Sequence, residues 1–447
     1  MSERRLLTGW GRTAPSLSTV TRLTAEGVPA AIRAAGPRGA LVRGLGRSYG
    51  DAAQNAGGDI LVLEDESPIR LDPRAATVRV GGGTSIDQLI RYLLPHAFFV
   101  SVTPGTRFVT VGGAIAADIH GKNHHRHGSL GHHVVEMDLV DAQGRRSTLT
   151  PEATPELFWA TVGGMGLTGV IVSAVLRVLP VETAYMRVDT DRVANLPDLM
   201  AMMSATDDRY TYSVAWIDLL AQGKGLGRSV LTRGEHAAVT ELSEARQRQP
   251  LRPAGRPRLS APGWAPDRLM NHWSVKTFNE LWFRKAPRER RDEIVHLSSF
   301  FHPLDGVTGW NTLYGRRGLT QYQFVVPLEA DAALTEAVRR IAAAGHASFL
   351  AVLKRFGPGS PGLLSFPMPG WTLALDLPAD PALAGLLNEL DELVVAAGGR
   401  VYLAKDARTS AARIREMYPR LEEFRALRRR TDPERVFRSD LARRLDL

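Results

Sequence analysis

Apolar positions along the chain follow two different periods, and the balance between them changes near residue 185. Up to about residue 184, short β-branched runs alternate with glycine turns and a few helices. Ala40-Leu41-Val42 predicts a buried strand, and Val109-Thr110-Val111 predicts another that stops at Gly112 and Gly113. One helix is well signalled: Ser85-Ile86-Asp87-Gln88 has the capping-box pattern, and Ile86, Leu89, Ile90 and Leu93 share an apolar face until Pro95. Beyond 185, strand-like runs at 210–220 (YTYSVAWIDLL) and 322–328 (YQFVVPL) alternate with helices such as 333–345 (ALTEAVRRIAAAG). Residues 409–430 read as helical. The pattern predicts an α+β fold with a first domain over 1–184 and a second, α+β domain over 185–399. Residues 245–268, rich in Pro and Arg with little periodicity, are expected to form a mobile surface loop, either a lid or an inert insertion.

Composition narrows the classes. A chain of 447 residues, 44% hydrophobic and 23% charged, has the make-up of a globular protein of two or three domains. It has no cysteine, which removes disulfides, thiolate metal sites and thiol catalysis and fits a reducing compartment. The N-terminal MSERRLLTGWGRTAPS has no continuous apolar segment of the signal-peptide kind, and LTGVIVSAVLRVLPV is too short to span a bilayer and is interrupted by Arg177. The expected location is therefore the cytoplasm or the periphery of the plasma membrane, with the membrane side left open. A net charge of +9 allows a nucleic acid, an anionic membrane or a phosphorylated substrate as partner. The C-terminal ALRRRTDPERVFRSDLARRLDL interleaves acids with its arginines, which suits paired helix faces, so no nucleic acid is expected.

Two glycine-rich segments carry the candidate chemistry. In the first, Arg43-Gly44-Leu45-Gly46-Arg47-Ser48-Tyr49-Gly50 follows the predicted strand and alternates glycines with donors suited to phosphate. Its spacing is one residue too long for a dinucleotide fingerprint, and DAAQNAGGD after it has no helical period, so no helix N-terminus follows. In the second, 101–131, bare N–H groups at Gly112 and Gly113 can face a pyrophosphate, and small residues 114–117 leave room for a flat group before Asp118-Ile119-His120-Gly121-Lys122. Two irregular loops, with no helix dipole, would then cradle the ligand. Six of the twelve histidines lie between 120 and 133. Gly121 and Gly128 interrupt the helix that a metal pair would need, so no metal is expected, and backbone-bonded core histidines are the ordinary alternative.

VRGLGRSYGDAAQN, VGGGTSIDQLI, TPGTRFVTVGGAIAADIHGKNHH and ATVGGMGLTGVI, in this order, resemble the flavin domain of the vanillyl-alcohol oxidase and p-cresol methylhydroxylase superfamily. Within it the chain is similar, over nearly its whole length, to the oxidase components of decaprenylphosphoryl-β-D-ribose 2'-epimerases: LTGWGRTAPS, FHPLD, QYQFVVP, LKRFGPG, SFPMPGW, YLAKDAR and SDLARRL all fit. The resemblance implies a two-domain vanillyl-alcohol-oxidase-type flavoprotein, with an FAD-binding domain completed by 400–447 and a substrate domain built on an antiparallel sheet. It implies FAD held by Arg43, Gly44, Leu45, Gly46, Arg47, Ser48, Tyr49, Gly50, Gly105, Thr110, Val111, Gly112, Gly113, Ala117, Asp118, His120, Ile171 and Tyr402. Ser48 stands where several relatives carry a flavin-linking His, so noncovalent FAD is expected.

FAD chemistry on a sugar is oxidation of a secondary alcohol, which needs a hydride acceptor and a base. The resemblance places Lys405 and His120 at the reacting centre and Tyr49, Lys122, Gln323, Lys354, Phe356, Thr372 and Ala374 around the substrate, with Trp371 on the apolar side. It also implies a lipid-linked sugar phosphate as substrate, oxidised at its 2'-hydroxyl, and an NADH-dependent short-chain keto-reductase that completes epimerisation for arabinan synthesis. Peripheral membrane contact would follow from such a substrate and the basic surface. The alternative is a soluble alditol or aldonolactone oxidase that uses oxygen. Two departures from the family pattern are Ala374, where many members carry a cysteine that captures nitroaromatic inhibitors, and Phe301, where relatives have Tyr.

Overall fold

A computed structural model describes residues 2–64, 67–255, 257, 259–262, 266, 270–346 and 348–447. Three sheets carry the architecture. The first orders strands Ser2–Leu7, Ser16–Leu23, Asp59–Leu63 and Ala40–Val42, its last two pairings parallel. The second is antiparallel: Arg70–Asp72, Thr77–Gly81, Val170–Pro180, Val134–Val140 and Arg146–Leu149, with Phe98–Val100 joined to Val170–Pro180. Strand Val170–Pro180 is the apolar stretch interrupted by Arg177; alternation across a sheet, and not membrane burial, accounts for its composition.

The third sheet has eight antiparallel strands in the order Glu289–His296, Tyr185–Val193, Ser229–His236, Tyr212–Ile217, Ala351–Phe356, Gly370–Pro378, Leu319–Val326 and Arg400–Val401. Its two faces are sorted by the period-2 rule. Ala215, Ile217, Leu231, Leu353, Leu373, Leu375 and Phe324 point to one side and bury against helices Leu196–Thr206, Asp331–Ala344 and Leu383–Ala396. Their neighbours Val188, Thr190, Val214, Trp216, Thr232, Gln321, Val352, Lys354 and Ala374 point to the other side and line a large cavity.

The C-terminal segment ties this sheet to the first one. Strand Arg400–Val401 pairs with Leu319–Val326, after which helices Ala411–Met417, Leu421–Thr431 and Asp440–Leu445 carry the chain back. Phe437, fully buried, bridges to Ala40, and Arg444 pairs with both Asp51 and Asp406.

Two sequence expectations need correction. Val109–Val111 is not a strand: Val111–Ala116 is a helix capped by Thr110, whose hydroxyl accepts from the Gly113 N–H. The β-branched pair misled because capping geometry, available to Thr, outweighs strand propensity where small residues follow. The helix expected over 409–430 is two helices parted at Pro419, which lacks the N–H that continuation requires. Helix Ile86–Leu93 has its predicted capping box, Ser85 with Gln88, and Asp331–Ala344 ends at Gly345 with φ +67°. In the segment expected to be a loop, Glu244–Gln247 is helical and Leu259–Ser260 pairs with Val307–Thr308, whereas residues 256, 258, 263–265 and 267–268 lie outside the described residues.

Candidate active site

The cavity between the glycine segments and the eight-stranded sheet has a volume of about 870 Å³, toward the upper end of the range for ligand sites. One wall is the loop after strand Ala40–Val42. Its ends are fixed: the Tyr49 N–H donates to the Ala404 carbonyl (2.9 Å), and the Ser48 and Tyr49 carbonyls accept from Trp10 and Gly11 (2.7 and 3.0 Å). Arg43 spends its guanidinium on the carbonyls of Ala53 (2.8 Å) and Thr8 (2.7 Å), so it braces the loop from behind. Between these anchors, the N–H groups of Gly44, Leu45, Gly46, Arg47 and Ser48 find no acceptor among the described residues. Gly46, at φ +65°, turns the chain so that consecutive amides line one concavity. A run of unpaired amides at a cavity wall fits a pyrophosphate. The Arg47 guanidinium stacks 3.8 Å from the Trp10 ring centroid, and its buried Nε has no partner among the described residues.

The second glycine segment works differently from its expected role. The N–H groups of Val111, Gly112 and Gly113 are already spent on Thr84 O, Gly82 O and Thr110 Oγ1. They do not face a ligand as bare donors. What the segment supplies is closeness: a Cβ on Gly112 would lie 3.1 and 3.2 Å from the Gly82 and Ile171 carbonyls. Small residues there keep the helix flush against strand Val170–Pro180 and leave Gly105, Thr110, Gly112, Gly113, Ala117 and Ile171 as a smooth wall. The residues around the cavity thus fit FAD: unpaired amides at one end, small side chains along one wall, and a titratable cluster opposite.

That cluster consists of three lysines and a carboxylate. Burial lowers Lys122 and Lys354 to about 7. Burial also lowers Lys405, to about 8, partly offset by the charge of Asp376. Asp376 is raised to about 7 by its own burial, against the opposing pull of Gln321 and Lys405. Gln321 donates to Asp376, and the Lys405 ammonium lies 5.7 Å from the Tyr49 ring centroid. Lys122 donates to the Phe300 carbonyl and sits 4.2 Å from its ring centroid. Lys405 lies in the turn after Arg400–Val401 and not at a strand end in water; the strand has only two residues, and the turn delivers the side chain into the cavity.

His120 forms the link between the flavin wall and the sheet. Gln323 donates through Nε2 both to His120 Nε2 (3.0 Å) and to Thr372 Oγ1 (3.0 Å), while Thr372 donates to the Phe324 carbonyl (2.8 Å). This chain makes His120 Nε2 an acceptor and puts its proton on Nδ1, which has no protein partner among the described residues. Burial first, then Lys354 and Lys405, keep the ring neutral. Gln323, Thr372 and Phe356 therefore stand behind His120, Phe356 with its ring centroid 4.9 Å away, and do not line the cavity themselves. Trp371 points to the helix side of its strand, into the core, as odd positions there do.

Other expected residues are placed as follows. Tyr402 lines the cavity and donates to the Ala117 carbonyl (2.7 Å). Asp118, at φ +40°, is buried beneath the wall, accepting from Ser129, Gly131 and Ser365. Val111 is core, and Gly50 packs on the Asp406 carbonyl. Ala374 faces the cavity, and Phe301 stacks on Phe99 (5.3 Å). His125 and His133 bond to backbone carbonyls, and His124 Nδ1 accepts from the Gly357 N–H. Sequence reading missed Trp10, Gln321 and Asp376. Parity with Gln323 and Ala374 on the same strands was the signal available for the last two. It also missed a largely apolar outer part formed by Val188, Val214, Trp216, Val230, Phe278, Trp282, Val295 and Phe349, with Thr190, Thr232 and Glu293 interspersed.

Comparison with known proteins agrees with this geometry. Residues 19–150 match the model of an FAD binding domain, and 379–445 match that of D-arabinono-1,4-lactone oxidase. The chain is 45% identical to decaprenylphosphoryl-beta-D-ribose oxidase of Mycolicibacterium smegmatis, over 99% of this chain and 97% of that one. The protein belongs to this oxidase family. Its members sit within the wider set of FAD flavoproteins; an alditol oxidase from a Streptomyces species is 24% identical over 91% of this chain and 90% of its own. A Streptomyces coelicolor protein without an assigned activity is 42% identical over 81% of this chain and the whole of that one. The chain is accordingly an FAD-dependent oxidoreductase acting on CH–OH groups, of the vanillyl-alcohol-oxidase type. Among the described residues, no helix is long and apolar enough to cross a membrane.

Proposed function

We propose that this protein oxidises the 2'-hydroxyl of a polyprenyl-phosphoryl β-D-ribofuranose to the 2'-keto sugar, the first half of epimerisation to the arabinose epimer. The observation that carries this reading is a single cavity that joins a flavin cradle, a buried lysine cluster and a largely apolar outer part. A sugar phosphate suits the cluster and a polyprenyl chain suits the apolar part, whereas a free polyol has no use for the latter. FAD, bound along 43–50 and 105–117, supplies the hydride acceptor.

In this reading Lys405 takes the hydroxyl proton. Burial holds it near the pH at which a neutral amine is available, and the charge of Asp376 opposes part of that shift. His120, with its proton on Nδ1, orients the sugar from the flavin side. Burial brings Lys122 and Lys354 to about 7, so a phosphate that enters is met by proton uptake and two ammonium groups. Ser48 lacks the nucleophilic imidazole that relatives link to flavin, so FAD is held noncovalently. Residues 1–184 with 400–447 form the flavin-binding part and 185–399 the substrate part. A keto-reductase using NADH then reduces the product from the opposite face.

The test is anaerobic mixing with decaprenyl-phosphoryl ribose: the visible flavin band bleaches in a single turnover and a 2'-keto product appears. Peroxide production from free alditols, with no bleaching by the lipid sugar, would establish the soluble oxidase reading instead. Acid precipitation is expected to leave all yellow colour in the supernatant.

A further inference from the structure

Helix His272–Lys285 closes the largely apolar outer part of the cavity, and its surface is unlike that of the other helices. Val275 and Asn279 are buried on its inner side, where Asn279 donates to Asp218 Oδ1 (2.7 Å) and the Ser348 carbonyl (3.4 Å). Away from that side stand Trp273 and Leu281, 75% and 64% exposed. Phe278 and Trp282, 42% and 47% exposed, lie between: each is on the surface and also lines the cavity. Among the described residues, five of the eight large hydrophobic side chains that are exposed lie in 259–282, four of them on this one helix. Such a concentration marks an interaction surface.

The charges nearby favour a particular occupant. Glu280, the helix's acidic residue, is engaged by Arg228 and Arg284, which leaves Lys276, Lys285 and the following Arg288 exposed around the apolar group. Two copies of this face brought together would oppose like charges. An anionic bilayer surface takes both features at once: indole and leucine side chains seat at the headgroup boundary while lysines reach the phosphates. A protein partner would also stopper the mouth that Phe278 and Trp282 frame, whereas a bilayer opens it to a lipid.

We propose that helix His272–Lys285 is an interfacial docking element that seats the cavity mouth on an anionic membrane, so that a polyprenyl chain passes from bilayer to site past Phe278 and Trp282. The transfer route rests on the lipid-linked substrate argued above; the docking itself does not. Flotation of the flavin-loaded full chain tests it, with vesicles of phosphatidylcholine alone or mixed with phosphatidylglycerol. The wild type is expected to float with the mixed vesicles. The Trp273→Ala/Leu281→Ala double variant is expected to lose at least about tenfold in bound fraction while retaining flavin and its turnover of a short-chain, detergent-dispersed polyprenyl-phosphoryl ribose. A Lys276→Glu/Lys285→Glu variant, which leaves the apolar group intact, is expected to lose the preference for the anionic lipid. Wild type that stays at the bottom of the gradient, or variants that float like wild type, would overturn the docking. So would a shift from dimer to monomer in the apolar variant with flotation unchanged. Helix-dependent flotation without oxidation of any polyprenyl-phosphoryl ribose would refute the substrate reading alone; oxidation in detergent without helix-dependent flotation would refute the docking alone.

Discussion

Lys405 and His120 meet the same pocket with different protonation equipment. The lysine is tuned toward neutrality by burial, with the charge of Asp376 opposing part of the shift; the histidine has its Nε2 lone pair occupied by Gln323. Lys405→Ala is therefore expected to slow anaerobic flavin reduction by about 10²–10⁴-fold, with flavin content unchanged. His120→Ala should chiefly weaken substrate binding, seen as a raised KM with a smaller loss in kcat. The base must be neutral, so the rate of flavin reduction is expected to rise with pH through about 8, the value set by burial of Lys405, and then level off. A flat profile from pH 7 to 9 would remove Lys405 from the role, by the protonation argument for catalytic bases. The family likeness named both residues from sequence. Which one has a free proton acceptor follows only from the Gln323–Thr372 chain, contributed by two strands far apart in sequence.

At the scale of elements, the loop 43–50 and the turn at 403–406 are built to touch. A Cβ on Gly50 would come within 2.0 Å of the Asp406 carbonyl, a backbone atom that cannot step aside. Gly50→Ala is expected to push the loop off Ala404 and to yield protein with little bound flavin, read from the ratio of visible to ultraviolet absorbance. Ser85→Ala offers a contrast: loss of the capping box costs about 1 kcal/mol, lowering the thermal midpoint slightly with flavin retained. The helix Ile86–Leu93 was legible because its cap and its apolar stripe are local properties of eleven residues or fewer. Val111–Ala116 was not, because its cap residue, Thr110, also satisfies a strand reading and the deciding contacts, Thr84 O and Gly82 O, come from another turn.

For the whole molecule, the C-terminal helix locks the flavin-binding loops to the substrate sheet through Arg444, which bonds Asp51 beside Gly50 and Asp406 beside Lys405. Arg444→Ala leaves Asp406 buried without its partner and is expected to cost about 3 kcal/mol, measured by urea unfolding, with accelerated flavin loss. Stability should also depend on pH in a definite direction. Lys122 and Lys354 fall from 10.5 to about 7 on folding, and Lys405 from 10.5 to about 8. Above about pH 7.5, where proton loss from the three lysines outweighs the protonation still left on Asp376, the unfolded chain therefore binds more protons than the folded one. Stability of the flavin-free protein is expected to rise with pH from about 7.5 to about 9, below the range where the buried tyrosines Tyr49, Tyr212, Tyr314, Tyr322, Tyr402 and Tyr418, raised by burial, act in the opposite direction, and a thermal midpoint that falls over this range would contradict the burial of the three lysines.

The sequence by itself determined the strand runs at 210–220 and 322–328, the capped helix, the glycine loop and the family that these motifs spell, because each is encoded within a few neighbouring residues. Tertiary structure alone decided that the first glycine loop keeps its amides free while the second spends them internally. It also decided that Asp376 and Gln321 lie near Lys405, and that the outer part of the cavity is largely apolar up to an exposed aromatic helix. Hydrogen-bond pairing and burial are settled between segments tens to hundreds of residues apart, and no local pattern records which partner arrives.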